Sequence, residues 1–315
     1  MALIRKFPLD PGLDFLGRRK LFLAFSVLMT VASIALALVQ GLNLGVDFRG
    51  GLLMEVRTAE AADLGQLRDR LGGLGIGEVT LQEFGETNDV LINVAIPEDN
   101  ETGQAAVIDK VMGALGEGTE LRRQEYVGPK IGDELKEAGA LATVLAMLGI
   151  GIYVWFRFEW QFGVAALISL LHDVVATIGF YALTQIEFNL ATLAAVLTIA
   201  GYSINDTVVI FDRVRETLRR YKKLELNAIL NQAVNTTLSR TILTSTSTLL
   251  ALVALFVFGG EVIRGFTAGL IWGILIGTYS SFGLAVPLLS YLGLRRGGES
   301  GSEESEGQGA AEPSA

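Results

Sequence analysis

Long apolar runs alternate with polar segments along this 315-residue chain, and the alternation predicts a protein that crosses a membrane several times. A helix needs about 20 predominantly apolar residues to span a bilayer. Six runs meet that length, at residues 21–40, 138–156, 162–183, 190–211, 238–258 and 266–292. The first run could also belong to a cleaved signal peptide, since it contains an Ala-Leu-Ala triplet, but it is longer than the apolar region of such peptides. We therefore expect six transmembrane helices, with the first one retained.

The polar segment between the first two runs, residues 41–137, has the pattern of a small separate domain. Strand-like alternation at 51–58 is followed by helical spacing at 61–74, by strands at 79–84 and 90–96 around a turn at 87–89, by a helix at 103–115 and by a strand at 120–126. The order β-α-β-β-α-β is that of ferredoxin-like folds. The expected fold class is a polytopic α-helical membrane protein with an inserted α+β ferredoxin-like extracytoplasmic domain.

Positive charge orients the six helices. Basic residues cluster before the first run, in the 212–240 connection and at Arg295 and Arg296, which all fall on one side and mark it as cytoplasmic. Residues 1–20 are then a cytoplasmic segment, residues 41–137 lie outside, and residues 138–292 form a five-helix membrane bundle. Residues 293–315 should be a disordered cytoplasmic tail, because they are dominated by Gly, Ser and Glu.

The connection between the fourth and fifth runs carries its own pattern. Val214, Leu218 and Tyr221 recur at helical spacing among basic residues. This predicts a basic amphipathic helix over 213–230 that lies on anionic lipid, and a docking surface for a cytoplasmic partner is the alternative.

Composition narrows the chemistry. Half of the residues are apolar, the mean hydropathy is +0.46, and the net charge of −9 resides mostly in residues 41–137, which hold 9 Lys and Arg against 19 Asp and Glu. Without cysteine and with one histidine, we expect no disulfide, no metal site and no cofactor. We expect no nucleic-acid partner, because the chain lacks the broad basic face that phosphate binding needs.

Asp206 is a carboxylate inside a predicted span, within Gly-Tyr-Ser-Ile-Asn-Asp-Thr-Val-Val-Ile-Phe-Asp-Arg at 201–213. A charge in hydrocarbon costs about 3 kcal/mol on insertion scales, so it is by default a functional site with a partner. Arg240 is 18 residues before the end of the next run, whereas Asp206 is 16 residues after the start of its own, which places both at nearly the same depth. We expect the two to pair. Burial would favour the neutral acid and Arg240 the charged one, so movement of Arg240 would load or release a proton.

Other polar residues in the spans could line a relay or support one. They are His172, Asp173, Ser203, Asn205, Thr207, Thr244 and Ser247. The hydroxyls could equally bond to carbonyls one turn back. His172 and Asp173 lie near the midplane, where they could pass protons or cap polar gaps, and adjacent helical residues need not touch each other.

Glycine recurs every four residues in the last span, at Gly265, Gly269, Gly273 and Gly277. Such a stripe allows another helix to pack closely, and the packing helix could belong to this chain or to a second membrane subunit.

Together, five motifs resemble the SecF family, the smaller membrane subunit of the SecDF complex of bacterial protein export, within the resistance-nodulation-division superfamily. The motifs are Gly-Val-Asp-Phe-Arg-Gly-Gly at 45–51, Val-Gly-Pro-Lys-Ile-Gly at 127–132, His172-Asp173, residues 201–213, and Ser-Arg-Thr at 239–241 with Thr244-Ser245. The resemblance implies pairing with a SecD-like subunit, cooperation with the SecYEG channel, and a proton pathway through Asp206 and Arg240.

The function expected on this basis is a non-enzymatic subunit in the bacterial inner membrane, with both termini cytoplasmic. It would be driven by the proton-motive force and would assist the late movement or release of translocating preproteins. One alternative is half of a proton-driven small-molecule or lipid exporter, for which a domain of about 90 residues is small. Another is a scaffold whose buried charges transport nothing. An intramembrane hydrolase is disfavoured, because the sequence has no signature of an activated serine.

Overall fold

The computed structural model describes residues 12–95, 104–116 and 118–294. The beginning of the predicted N-terminal segment and residues 295–315 of the predicted tail, including Arg295 and Arg296, lie outside the described residues. In chain order the helices are α1 Arg19–Val39, α2 Val46–Arg49, α3 Leu64–Gly72, α4 Gln104–Leu115, α5 Pro129–Arg157, α6 Trp160–Thr184, α7 Leu190–Arg220, α8 Leu226–Phe258, α9 Arg264–Ser280 and α10 Val286–Tyr291. The strands are β1 Gly51–Arg57, β2 Glu78–Phe84, β3 Glu86–Ala95 and β4 Glu120–Val127.

Within the described residues, six helical segments are long and apolar enough to cross a membrane, which confirms the six predicted spans. They are α1, α5, α6, α7, α8 and the continuous Arg264–Tyr291 segment, in which a π-helical turn at Ser281–Ala285 joins α9 to α10. Within this bundle α9 packs against α6, α7 and α8. The most enclosed spans are α6 and α9, whereas α1, α5 and α8 leave most of their surface uncovered.

The sheet domain, β1 to β4 with α3 and α4, has the ferredoxin-like topology that the pattern predicted. Its strands lie in the order β2-β3-β1-β4, and every neighbouring pair is antiparallel. Because side chains alternate across a strand, Leu52, Met54 and Val56 of β1 face α3 and α4 and are fully buried. Leu53 points to the opposite face, where it packs with Val46 of α2.

Two local predictions for this domain were wrong. The turn between β2 and β3 is at Gly85 rather than at 87–89, because Gly85 adopts the positive φ of 82° that a tight turn needs. The domain also ends earlier than residue 137. Residues 129–137 are helical and extend α5 beyond its apolar part. Pro129 is compatible with this start, because its missing N–H is not needed in the first turn of a helix.

The predicted amphipathic helix at 213–230 is absent as a separate element in the described chain. Residues up to Arg220 continue α7, and α8 begins at Leu226. Val214 is fully buried against Leu230 and Val234 of α8, so the apolar side of this stretch faces the bundle and not a lipid surface.

The glycine stripe of α9 packs within this chain, which decides between the two alternatives left open. A side chain at Gly269 would meet Tyr181 of α6, one at Gly273 would meet Ile199 of α7, and one at Gly277 would meet Ser203. At Gly265 the nearest atoms belong to Ile186 and Thr192. The stripe therefore lets α9 approach α6 and α7 closely.

Candidate functional site

Asp206 lies halfway along α7 and is 5% exposed. Among the described residues its Oδ2 atom is buried without a hydrogen-bond partner. Ser245 of α8 lies beside the carboxyl group, and the charge of Arg240 acts on it electrostatically. Asp206 is thus a buried acid with little polar compensation, which is the environment in which protonation is sensitive to small movements.

The predicted ion pair between Asp206 and Arg240 is not formed within the described structure, where the eight salt bridges include neither residue. Arg240 is exposed on the surface of α8. Ser245, five residues further along α8, is the residue at the level of Asp206, and five residues correspond to about 7.5 Å of helix. Counting residues from the helix ends therefore misplaced the depth of Arg240 relative to Asp206 by about one and a half helical turns.

A second buried carboxylate, Asp173 of α6, is better satisfied. Its Oδ2 accepts hydrogen bonds from Ser203 Oγ of α7 at 2.5 Å and from Ser280 Oγ of α9 at 2.7 Å. Its Oδ1 lies 2.9 Å from His172 Nδ1, so these neighbours on one helix do touch. Asp173 is fully buried, and this cluster joins three helices at the centre of the bundle.

His172 adds an unsatisfied atom to that cluster, since its Nε2 is buried and has no hydrogen-bond partner in the part of the chain that the structure describes. Its ring lies 6.4 Å from that of Tyr279. The Tyr279 hydroxyl donates to the Phe22 carbonyl at 2.7 Å and so ties α9 to α1. Ser280 and Tyr279 were not singled out from the sequence, although the run Thr-Tyr-Ser-Ser at 278–281 interrupts an apolar span and could have marked them.

Three further residues, which were predicted to line or support a relay, bond to carbonyls of their own helix. Thr207 donates to the Ser203 carbonyl at 3.3 Å, Thr244 to that of Arg240 at 3.1 Å, and Ser247 to that of Thr244 at 2.9 Å. These are the bonds to carbonyls one turn back that were expected if the hydroxyls do not belong to a relay. Asn205 is exposed, as are Thr244 and Ser247.

Comparison with known proteins identifies the family. The family model described as "Protein export membrane protein SecD/SecF, C-terminal" matches residues 107–295, and the "SecD/SecF GG Motif" matches residues 35–62. The protein translocase subunit SecF of Rickettsia rickettsii is 44% identical over 291 residues, which cover 91% of this chain and 94% of that protein. The chain belongs to the SecF family of protein translocase subunits. SecF of Rickettsia prowazekii is 42% identical over 93% of this chain.

Solved structures agree with the SecF assignment. A crystal structure of SecDF from Thermus thermophilus, described as a translocon-associated membrane protein, matches with a TM-score of 0.82 and 32% identity. The match covers 91% of this chain and 39% of that one, so a SecF chain spans well under half of the length of SecDF. SecDF in its super-membrane-facing form matches with a TM-score of 0.67 over 90% of this chain.

This SecF-family chain also has a cleft of about 410 Å³ between the sheet domain and the adjacent ends of the membrane helices. Glu187, from the α6–α7 connection, lines it together with Asp47, Arg123 and Arg264. Burial raises the pKa of the Glu187 carboxyl, and the nearby negative charge of Asp47 raises it further. No cluster of three or more metal-binding side chains occurs among the described residues.

Proposed function

We propose that this protein is a proton-motive-force-coupled subunit of Sec protein translocation, which acts without catalysis of its own. With a SecD-like subunit and beside the SecYEG channel, it assists the late movement or release of preproteins. The bacterial inner membrane is its location, with both termini cytoplasmic and the sheet domain outside. The family supports the role in protein translocation, and the buried Asp206 supports the coupling to protons.

The environment of Asp206 carries this proposal. An ionised carboxylate in a membrane span costs about 3 kcal/mol by insertion scales. Moving one elementary charge through a membrane potential of about 100 mV is worth about 2.3 kcal/mol. Because the two energies are similar, a proton gradient is strong enough to change the protonation state of an acid buried this way. Arg240 is near enough to bias that state, and a shift of α8 against α7 would change the bias.

Exposed polar groups on the bundle support the SecD-like partner. Arg240, Asn205, Thr244 and Ser247 are exposed along α7 and α8, within segments long enough to cross the membrane. Polar groups that face lipid are unfavourable and are usually covered by protein or by a water-filled cavity. A second membrane subunit would cover them, and it would bring partners close to Arg240.

The test uses Asp206→Asn in vesicles that contain the channel, its ATPase and both subunits. We expect gradient-dependent completion of preprotein export to fall to the level measured without a gradient, because Asn cannot exchange a proton. Asp212→Asn is the matched control, since it removes a carboxylate from the same helix where the side chain is 61% exposed. Asp212→Asn should retain the stimulation.

Equal stimulation in Asp206→Asn and the control, at equal expression and partner assembly, would reject the proton role and favour a scaffold. Gradient-driven movement of lipids or small molecules in the same vesicles, with no effect on preproteins, would favour the exporter alternative.

A further inference from the structure

Two connections far apart in sequence are bonded to each other at the junction between the sheet domain and the membrane bundle. One is residues 41–50, between α1 and β1, and the other is residues 185–189, before α7. We call them together the clasp. Its bonds run from Asn43 Nδ2 to the Gln185 carbonyl (3.0 Å), from Gln185 Nε2 to the Gly41 carbonyl (3.1 Å), from Phe188 N to the Asn43 carbonyl (2.7 Å) and from Gly45 N to the Phe188 carbonyl (2.9 Å).

Asp47 extends the clasp onto α7. Its Oδ2 accepts the N–H of Leu190, the first residue of α7, at 2.9 Å. The first N–H groups of a helix have no partner within it, and a negative charge there is favoured by the helix dipole. Asn189 already caps Thr192 N, so Asp47 adds a second anchor, which comes from a distant part of the chain.

The clasp is also joined directly to the sheet domain, because its first segment leads into β1 with almost no linker. α2 is separated from β1 by Gly50 alone. Phe48 stacks on Phe188 with ring centroids 5.8 Å apart, and both side chains are buried. A side chain at Gly132 of α5 would approach Gly50 N to 3.0 Å, so the backbone here is closely packed. Close packing transmits displacement, since the neighbours cannot absorb it by filling empty space.

The helix that Asp47 anchors also carries the proposed proton site. α7 is one continuous helix from Leu190 to Arg220, and it carries Asp206 sixteen residues after the residue that Asp47 binds. We propose that Asp47 is a positioning residue that ties the end of α7 to β1, so that movement of α7 is passed through the clasp to the sheet domain. This inference rests on the proposed function, because it assumes that α7 moves when Asp206 exchanges a proton.

The experiment measures domain movement and export in the same vesicles. Because the chain contains no cysteine, Arg68→Cys on α3 and Phe258→Cys at the end of α8 can carry a pair of spin labels that are attached before the chain is assembled with its partners. Both residues are exposed, and Phe258 lies outside the clasp. We expect the label distance to change when a proton gradient is applied to the assembled complex.

Asp47→Ala should abolish that change in distance and the gradient-stimulated part of export, while partner assembly and proton uptake persist. If Asp47 only stabilised the fold, Asp47→Ala would reduce proton uptake and the change in distance together. Asp133→Asn is the matched control: it removes a carboxylate near the start of α5 whose side chain is 74% exposed and, among the described residues, pairs only with Lys136. Asp133→Asn should behave as the parent protein does.

The results distinguish this inference from the proposed function. If the parent protein shows no gradient-dependent export, the proposed function fails and the clasp has no movement to transmit. If Asp206→Asn abolishes the stimulation but Asp47→Ala keeps the full change in distance, the inference is overturned and the proposed function stands. Should Asp47→Ala not assemble, Asp47→Leu keeps the bulk of the side chain without an acceptor for Leu190 N: a reduced change in distance supports the clasp, and a full one overturns it.

Discussion

Two hydrogen bonds from Arg57 of β1 to Asp89 of β3 join the central strands of the sheet domain. The two residues face each other in the register of β1 and β3, where Arg57 Nε and Nη2 each donate to an Asp89 oxygen at 2.6 Å. The Asp89 side chain is 7% exposed. Arg57 therefore holds the pKa of Asp89 below its ordinary value of 3.8.

Asp89→Asn should weaken the centre of the sheet, because it breaks a charge-assisted pair and leaves the Arg57 guanidinium with one acceptor fewer. We expect amide hydrogen exchange in β1 and β3 to accelerate at least about tenfold, the factor expected from losing a hydrogen bond to a charged group. Glu78→Gln on the exposed edge of the sheet is the control and should leave exchange unchanged.

The pH dependence of this pair has a defined sign. Because the folded pKa of Asp89 is lowered, its stabilising contribution is complete well above pH 3.8 and is lost as pH falls below that value. Exchange in Asp89→Asn should consequently vary less with pH in this acidic range than exchange in the parent protein. An equal dependence in both proteins would contradict the assignment.

At the scale of elements, α9 depends on its glycines for its place between α6 and α7. A Cβ at Gly273 would overlap the side chain of Ile199. Gly273→Ala should therefore destabilise the bundle by about 1–3 kcal/mol, the usual range for forcing extra carbon into a packed core. Thermal unfolding in detergent would measure this.

Gly149→Ala in α5 is the matched control, since a Cβ built there would meet no atom of the described residues within 4 Å apart from its chain neighbours and the adjacent backbone of α5. Alanine favours helix over glycine by up to about 1 kcal/mol, so this variant should be neutral or slightly stabilising. If both variants changed thermal stability equally, the close approach of α9 to α7 would not be what makes Gly273 necessary.

At the scale of the whole molecule, the contact between the sheet domain and the bundle should respond to pH through Glu187. The raised pKa means that the closed cleft binds a proton more tightly than an open one does, so protonation favours closure. As pH rises above the ordinary value of 4.5, charge develops beside Asp47 and Glu125, with Arg123 and Arg49 opposing it, and the cleft should widen.

The labels at positions 68 and 258 would measure this widening without any gradient. Glu187→Gln should hold the distance constant across the range in which the parent protein changes, because Gln carries no charge at any pH. A distance that keeps the parent pH dependence in Glu187→Gln would assign the response to another group.

Particular residues show how far sequence patterns reached. The strand alternation of Leu52, Met54 and Val56 predicted the buried face of β1 correctly, because the period of a strand is strictly two. The predicted limits of α5, α7 and α8 fell short, because apolar composition marks the part in lipid and not the helical turns that continue into water. The Asp206 and Arg240 pair was placed at nearly one depth by counting, which cannot register the shift of α8 against α7 that brings Ser245 to Asp206.

The sequence by itself determined which segments enter the membrane, the order of elements in the sheet domain, the family, and the two buried carboxylates. These follow from composition and period, which are local properties of the chain. Only the tertiary structure decided that the glycines of α9 face this chain, that Ser203 and Ser280 both bond Asp173, and that Asp47 holds the start of α7. Each of these joins residues distant in sequence, and such contacts depend on how helices rotate and slide against one another as they pack.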